Sequence, residues 1–347
     1  MILYTELAQY SIACFKELSR LDVKLLVVHW PINAEAPFNL DLSFIDIHYS
    51  RDQLNVSELN RKVREFQPDI ILCSGWLDYG YVRLCSKWKS QIPTVVTFDN
   101  KWTGSLKQRL AALASPFVIR RSFSHAFVPG EAQSKYAKKL GFDHHHIETG
   151  FYSADVAKFN QFFEERQIEQ ICSADSKRIL YLGRYVEHKG VFEMWQAFRQ
   201  FRVEHEAWEL WCVGTGDQYD NRAEYEGIKH FGFLQPDELL PILQQTVAYI
   251  LPSHFEPWGV SAHEMAVAGF PLLLSDEIGS SEAFLKEGVN GFQFKHGSEE
   301  EILRVLVSIA SLSQDELITM SQKSHDIGMK ITPTNWAKKV EGLTLPR

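Results

Sequence analysis

The stretch VAYILPSHFEPWGVSAHEMAVAGFPLLLSD, residues 247–276, holds the pattern that decides the fold. Two short apolar runs, 247–253 and 271–276, predict buried strands. The segment between them, 260–269, predicts a helix that ends at Gly269, a residue suited to the left-handed position after a helix. A strand, a helix and a strand in this order predict a parallel sheet of the α/β class.

The same alternation extends through both halves of the 347-residue chain. Buried strands are predicted at 23–30, 68–75, 93–99 and 125–130, and again at 178–184, 208–214, 228–233, 247–253 and 271–276. Helices are predicted at 56–66, 131–140, 191–201, 236–245, 260–269 and 298–312. The pattern predicts two Rossmann-like doubly wound domains, and the chain is long enough for both. We place them at 1–150 and 178–332, with a charge-rich linker at 151–177.

Composition and charge exclude several functional classes. The net charge of −8 argues against general nucleic-acid binding. The five cysteines are scattered and form no C-x-x-C pair, so neither a disulfide framework nor a zinc site is expected and a reducing cytosol fits. The first residues carry no basic segment typical of a signal peptide, which also favours a cytoplasmic protein.

The loop LGRYVEHKG, 182–190, follows a predicted strand and carries the first candidate chemistry. Gly183 lets the backbone approach a ligand, and Arg184 and Lys189 then offer two cations. Together they could neutralise a diphosphate without a metal ion. The alternative is that both are solvated surface cations. Gly214 lies at the end of the next predicted strand, where a tight turn is the competing interpretation.

The loop 254–259 carries the second candidate chemistry. The helix that starts after Gly259 presents unpaired N–H groups and the positive end of its dipole, a site suited to phosphate. Glu256 lies in the loop before this helix, and Glu264 lies inside it among apolar neighbours. A carboxylate in such surroundings needs hydrogen-bond donors, and sugar hydroxyls are suitable ones. Alternatively, Glu264 caps a neighbouring backbone segment or meets an internal arginine.

These loops form one pattern that resembles glycosyltransferase family 4, whose members are retaining enzymes of the GT-B fold. The family's G-R-x4-K-G motif is matched from Gly183 to Gly190, and its E-x7-E motif by Glu256 and Glu264. The segment 278–292 resembles the family's Gly…Glu…Gly-x-Asn-Gly motif. The tail, 333–347, resembles the closing helix that crosses back to the N-terminal domain.

The resemblance implies a role for each site residue. The implied donor site consists of Gly183, Arg184, Lys189, Gly214, Phe233, Glu256, Trp258, Gly259, Val260 and Glu264. In it, Arg184 and Lys189 hold the donor diphosphate, and the backbone N–H groups of 258–260 assist. Glu256 bonds to hydroxyls of the transferred sugar. Glu264 bonds to the ribose, and the segment around Phe233 meets the base.

The implied activity is transfer of a sugar, with retention, from a nucleotide-diphospho sugar to a glycan or lipid-linked acceptor in cell-surface polysaccharide synthesis. UDP is favoured as the nucleotide, and neither a cofactor nor a metal is expected. Two departures from the family pattern support an alternative, a non-catalytic GT-B subunit that binds a nucleotide sugar or a partner. No glycine precedes Gly75, and Asp99 stands where many members have a histidine. Either Asp99 replaces that histidine as a catalytic residue, or the site differs and Asp99 belongs to a strand-end turn.

The segment 105–123 combines apolar and basic side chains. Its residues at helical spacing are Leu106, Leu110, Leu113 and Phe117, and its basic residues are Lys107, Arg109, Arg120 and Arg121. Residues 101–139 hold eight basic residues and one acidic residue, a local charge of +7. We expect either peripheral contact with an anionic membrane or an internal helix packed on the sheet, and we expect Pro116 to end or kink the helix. Three adjacent histidines, 144–146, predict a solvated loop rather than a metal site.

Overall fold

The computed structural model describes residues 1–32, 37–173 and 177–344, and the chain divides into two compact units. The first unit contains Met1–Ser153 and the segment that starts at Ile331, and the second contains Ala154–Lys330. Each unit is built on one parallel sheet with helices between its strands. The predicted α/β class is therefore confirmed.

The sheet of the first unit has seven strands in the described part of the chain, in the order β3-β2-β1-β4-β5-β6-β7. The strands are β1 Ile2–Tyr4, β2 Leu26–His29, β3 Ile47–Ser50, β4 Ile71–Ser74, β5 Thr94–Thr97, β6 His125–Val128 and β7 Ile147–Thr149. The sequence pattern did not predict β3 or β7. Both are edge strands whose side chains are at most half-buried, so neither carries the apolar run that marks an internal strand.

The helices of the first unit cover both faces of this sheet. They are α1 Gln9–Arg20, α2 Val56–Phe66, α3 Tyr79–Trp88, α4 Leu106–Ala114, α5 Ile119–Ser122 and α6 Glu131–Lys139, joined by α15 Pro333–Gly342 from the far end of the chain. Helix α15 buries Trp336 against this unit. Its ring lies 5.9 Å from that of Phe15 and 6.1 Å from that of Phe127.

The sheet of the second unit has six strands in the described residues, in the order β10-β9-β8-β11-β12-β13. The strands are β8 Lys177–Leu182, β9 Trp208–Val213, β10 Ile228–His230, β11 Ala248–Leu251, β12 Leu272–Ser275 and β13 Gly291–Phe294. The helices are α7 Val156–Glu165, α8 Ile168–Ser173, α9 Val191–Arg202, α10 Leu240–Leu243, α11 Val260–Val267, α12 Ser281–Phe284, α13 Glu299–Ala310 and α14 Gln314–Gly328.

The segment 151–177, predicted to be a linker, contains two helices of the second unit, α7 and α8. Phe159 and Phe162 of α7 are buried, although charged neighbours hide them in the sequence. The side chain of Arg166 is also buried, and it donates to four backbone carbonyls, those of Leu243, Thr246, Ala268 and Gly269. A buried guanidinium with these partners fixes the segment to the body of the unit.

Two predicted elements are shorter in the structure. The helix predicted at 236–245 is reduced to α10, in which Pro241 lies at the first turn, where the missing proline N–H is tolerated. The strand predicted at 228–233 ends at His230, because Gly232 adopts a left-handed conformation with φ of +72°. The chain therefore turns before Phe233.

The strand order reverses once in each sheet, between β1 and β4 and between β8 and β11. In doubly wound sheets, ligands bind beyond the carboxyl ends of the strands at this reversal. In the second unit, the loops that begin at Gly183 and Pro252 leave β8 and β11 at that position. The fold thus brings together two sequence regions that both carry candidate chemistry.

Candidate active site

The loop after β8 lies against the end of β11. Gly190 caps α9 with φ of +66°, and a Cβ atom there would lie 2.2 Å from the carbonyl oxygen of Pro252. The backbone N–H of His254 donates to the carbonyl of His188 at 2.8 Å. Only glycine permits this approach, so the two loops are held side by side.

The loop after β9 packs equally closely on the loop after β8. Gly214 has φ of +137°, and a Cβ atom there would lie 2.0 Å from the carbonyl oxygen of Gly183. Its N–H donates to the carbonyl of Gly232 at 2.7 Å, and the N–H of Gly183 donates to that of Val213 at 3.0 Å. Gly214 therefore joins three loops through its backbone, which explains why glycine is needed there.

The loop after β11 leads into α11 and is tied to the loop after β12. The N–H of Gly279 donates to the carbonyl of Glu256 at 3.0 Å, and the N–H of Ser280 donates to that of Trp258 at 2.8 Å. Gly259 caps α11 with φ of +86° and no side-chain cap. The first turn of a helix leaves N–H groups without carbonyl partners in the helix, so the start of α11, at Val260 and Ser261, presents such groups and the positive end of the helix dipole.

Lys189 and Glu256 form an ion pair at this edge of the sheet, Nζ to Oε2. Their side chains are 14% and 15% exposed, so the pair is largely shielded from water. Arg184 lies on the same loop as Lys189 with an exposed side chain, and its carbonyl accepts from the hydroxyl of Tyr181 at 2.7 Å. Lys189, which is expected to bind the diphosphate, is therefore in direct contact with Glu256, which is expected to bind the sugar.

Glu264 lies a little over one turn into α11, and the pKa of its carboxyl differs from the usual value. Burial raises the pKa of its carboxyl from 4.5 to about 7, with repulsion from Asp155 adding to the rise and attraction from Lys158 opposing it. Its side chain remains partly exposed to solvent. A carboxyl of this kind changes protonation near neutral pH, so it can accept hydrogen bonds from a ligand at the cost of losing its proton.

Phe233 and Asp99 lie outside the loops that carry Lys189 and Glu256. Phe233 is half-buried and follows β10 in the second unit. Asp99 lies in the first unit, two residues after β5, and accepts a hydrogen bond from the hydroxyl of Tyr152 at 3.3 Å. Burial raises the pKa of that hydroxyl, and the charge of Asp99 adds to the effect.

Two histidines were not singled out by the sequence pattern, and both lie in the site loops. Burial lowers the pKa of His188, and the charges of Lys189 and Arg184 lower it further. The Nε2 atom of His254 lies 3.3 Å from a carboxylate oxygen of Glu193. Only their position in loops at the reversal of strand order could have indicated them, because neither belongs to a motif with fixed spacing.

Metal-ligand clusters and membrane-spanning helices are both absent from the described ranges. No group of three or more histidine, cysteine, aspartate or glutamate side chains gathers where it could hold a metal ion. The three histidines 144–146 form a short 3₁₀ turn, with two of them exposed. Within the same ranges, no helix has both the length and the apolar character needed to cross a bilayer.

A parallel sheet with two cations, a glycine-capped helix N-terminus and two carboxylates where its strand order reverses is an arrangement typical of nucleotide-binding α/β domains. The sequence model of the family described as "Glycosyl transferases group 1" matches residues 163–324, most of this unit. The glycogen synthase of Mycobacterium tuberculosis is 35% identical over an alignment of 237 residues, which covers 64% of this chain and 55% of that protein. The chain thus spans about half the length of this curated relative.

Solved structures extend the comparison to the whole fold. HepE of Anabaena, solved in complex with UDP and glucose, is similar with a TM-score of 0.75 and 14% identity, covering 99% of this chain and 98% of that one. WaaG, a glycosyltransferase involved in lipopolysaccharide biosynthesis, is similar with a TM-score of 0.70 and 9% identity, covering all of both chains. The fold is GT-B, with two Rossmann-like domains, and the sequence similarity is to glycosyltransferases.

Proposed function

We propose that this protein is a retaining glycosyltransferase of family 4, which moves a sugar from a UDP-sugar to a glycan or lipid-linked acceptor in cell-surface polysaccharide synthesis. The observation that carries the proposal is the Lys189–Glu256 pair beside the N-terminus of α11. It places a cation and a carboxylate together at the ligand-binding edge of the second sheet. A nucleotide sugar presents a diphosphate and sugar hydroxyls side by side, which are the complementary groups.

The proposed mechanism depends on charge that develops on the departing diphosphate. Arg184, Lys189 and the first N–H groups of α11 stabilise that charge as the bond between sugar and phosphate breaks. Glu256 accepts hydrogen bonds from hydroxyls of the transferred sugar and keeps it oriented. Because Lys189 and Glu256 are already paired, little reorganisation is needed when the donor binds.

Glu264 and the segment around Phe233 complete the proposed donor site. With a pKa near 7, the Glu264 carboxyl can ionise to accept hydrogen bonds from ribose hydroxyls. Phe233 follows the turn at Gly232, where backbone groups are available to meet a base edge. UDP as the nucleotide is supported by the UDP complexes of HepE. The acceptor class rests on the resemblance to family 4.

The test is a screen of nucleotide-diphospho sugars by thermal shift, followed by transfer assays. A ligand that binds only the folded state raises the melting temperature, and the rise grows with the ratio of ligand concentration to Kd. We expect UDP and one UDP-sugar to raise it, and we expect the anomeric configuration of the product, read by NMR, to match that of the donor. If no nucleoside diphosphate or nucleotide sugar stabilises the protein, the proposal fails.

A second candidate function has a specific observation in its favour. Only Thr5, Glu6, Leu7 and Ala8 separate β1 from α1, so no glycine loop follows the first strand, and Asp99 is engaged by Tyr152. A GT-B subunit that binds a nucleotide sugar without transferring it would tolerate both features. Binding of a UDP-sugar with neither hydrolysis nor transfer to any glycan would favour this candidate.

A further inference from the structure

Helix α4 carries an apolar face that no described part of the protein covers. None of its nine residues is buried. Leu106, Leu110 and Leu113 are 74%, 57% and 74% exposed, and Phe117 in the turn that follows is 77% exposed. These positions recur every three or four residues, so they share one side of the helix. The alternative expectation, an internal helix packed on the sheet, is therefore wrong for α4.

The opposite side of the helix is fastened to the protein. The side-chain carbonyl of Gln108 accepts from the backbone N–H of Thr103 at 2.7 Å, and its amide donates to the carbonyl of Lys101 at 2.8 Å. The buried hydroxyl of Ser115 donates to the carbonyl of Leu140 at 2.6 Å. Pro116 lies in a short 3₁₀ turn that ends α4 at Ala114, as predicted. The apolar face is thus presented by a fixed segment.

The charge around α4 indicates what kind of surface could cover its apolar face. Residues 101–139 carry a local charge of +7 in a chain whose net charge is −8. Lys107 and Arg109 are exposed on α4 itself, next in sequence to the exposed leucines, and Arg121 is exposed in α5. Arg120 differs from this expectation, because its guanidinium donates to the carbonyls of Phe123 and Ser124. An apolar helix face with exposed cations beside it complements a surface that is both anionic and apolar beneath.

We propose that α4 and the following turn, through Phe117, form a docking surface for an anionic lipid bilayer. The helix is too short to cross a bilayer and lies in the interface, with its leucines among the acyl chains and its cations at the headgroups. Attraction from each basic residue falls off within a Debye length, so binding weakens as salt rises. The proposal concerns the first unit and does not depend on the donor site.

Vesicle flotation tests the proposal on the full chain. We expect binding to vesicles of equal parts phosphatidylcholine and phosphatidylglycerol at low salt, little binding at high salt, and little to phosphatidylcholine alone. Leu110→Ser with Leu113→Ser should abolish binding. Lys107→Glu with Arg109→Glu should weaken it at least about tenfold, because each basic residue near such a surface contributes about 1 kcal/mol.

Matched controls separate this surface from general effects. Val203→Ser removes a single apolar side chain, 78% exposed, from the second unit. Arg83→Glu with Lys87→Glu makes the same change of net charge on exposed positions of α3. Both controls should bind vesicles as the parent does. Equal weakening in the controls, equal binding to neutral vesicles, or no binding at low salt would overturn the proposal. Concentration-dependent self-association that the leucine variant abolishes, without vesicle binding, would assign the face to a second copy instead.

Discussion

Lys189 and Glu256, 67 residues apart in sequence, form an ion pair through Nζ and Oε2 at the carboxyl ends of β8 and β11. Neither charge is well exposed, so each depends on the other for compensation. Removing one partner leaves the other poorly solvated beside the proposed donor site. Substitution of Lys189 should therefore mainly weaken binding of the nucleotide, whereas substitution of Glu256 should mainly slow transfer.

Glu256→Gln should slow transfer by raising its activation free energy by about 2–4 kcal/mol. This is the usual cost of losing one hydrogen bond made at the reacting group. The amide keeps the shape of the side chain, so UDP affinity should change little by comparison. Steady-state kinetics and calorimetry with UDP measure the two effects. Glu206→Gln, at an exposed position of the same unit, is the control and should behave as the parent. Turnover near the parent value would remove Glu256 from the reaction.

Arg184→Ala and Lys189→Ala should each raise the Kd for UDP about 10- to 100-fold, because a charge-assisted hydrogen bond contributes about 1.5–3 kcal/mol. Lys189→Ala should have the larger effect, since it also leaves the Glu256 carboxylate to repel the diphosphate. Uridine, which lacks the phosphates, should bind all variants alike. Calorimetry with both ligands provides the comparison, with Lys87→Ala as a matched cation control. Equal losses for UDP and uridine would place these residues away from the diphosphate.

EDTA should leave transfer largely unchanged. The proposed site supplies Arg184, Lys189 and a helix N-terminus for the leaving-group charge, a task for which many enzymes use a divalent ion. The assay compares protein treated with EDTA and passed through a desalting column with the same protein after magnesium or manganese is restored. Complete inhibition that only added metal reverses would contradict the proposed mechanism.

The raised pKa of Glu264 predicts a pH dependence of stability. Between its ordinary value of 4.5 and its folded value of about 7, the folded state holds a proton that the unfolded state has lost. The free energy of unfolding therefore falls as pH rises through this window and levels off above it, by up to about 3 kcal/mol. Glu264→Gln removes the effect, so its stability relative to the parent should increase from pH 5 to pH 8.

Thermal denaturation of both proteins across this pH range measures the difference. Glu206→Gln should follow the parent at every pH, since an exposed carboxyl ionises alike in both states. A constant difference between the parent and Glu264→Gln would show that the Glu264 carboxyl is ionised throughout the window.

Gly214→Ala should destabilise the second unit by about 2 kcal/mol or more, because the added Cβ would lie 2.0 Å from the carbonyl oxygen of Gly183 on a strained backbone. Gly342→Ala offers a matched control. No atom lies within 4 Å of a Cβ at that position, and the residue ends α15, where alanine suits a helix better than glycine. Denaturant unfolding measures the free energy of unfolding of both variants. Equal stability of the two would show that the loop after β9 can shift to make room for the added Cβ atom.

The sequence could predict the elements whose pattern is local. The helix 56–66 matches α2, and the strand–helix–strand unit around Glu256 is recovered within a residue or two, since apolar runs and glycine ends mark it. Edge strand β7 was not predicted, because its side chains are only half-buried and its sequence lacks an apolar run. The linker interpretation missed Phe159 and Phe162 because acidic and amide residues interrupt them.

The sequence predicted individual residues of the candidate site, but it did not predict which of them contact each other. Glycines and charges at strand ends indicated Arg184, Lys189 and Glu256 one loop at a time. The ion pair joining two of them depends on which strands are neighbours, and spacing along the chain contains no signal for that. The raised pKa of Glu264 likewise comes from burial in the folded unit and then from the charge of Asp155, a residue in the segment predicted to be a linker.

The return of α15 to the first unit has a consequence for how the chain is made. Trp336 completes the packing around Phe15 and Phe127, yet the ribosome adds it after the whole second unit. The second unit is continuous and can fold as it emerges, whereas the first must wait with an aromatic surface uncovered. Bringing Trp336 back to Phe127 and Phe15, which lie 209 and 321 residues earlier in the chain, costs loop-closure entropy that grows only slowly with length. The waiting unit is therefore the part of the nascent chain that chaperones would have most reason to bind.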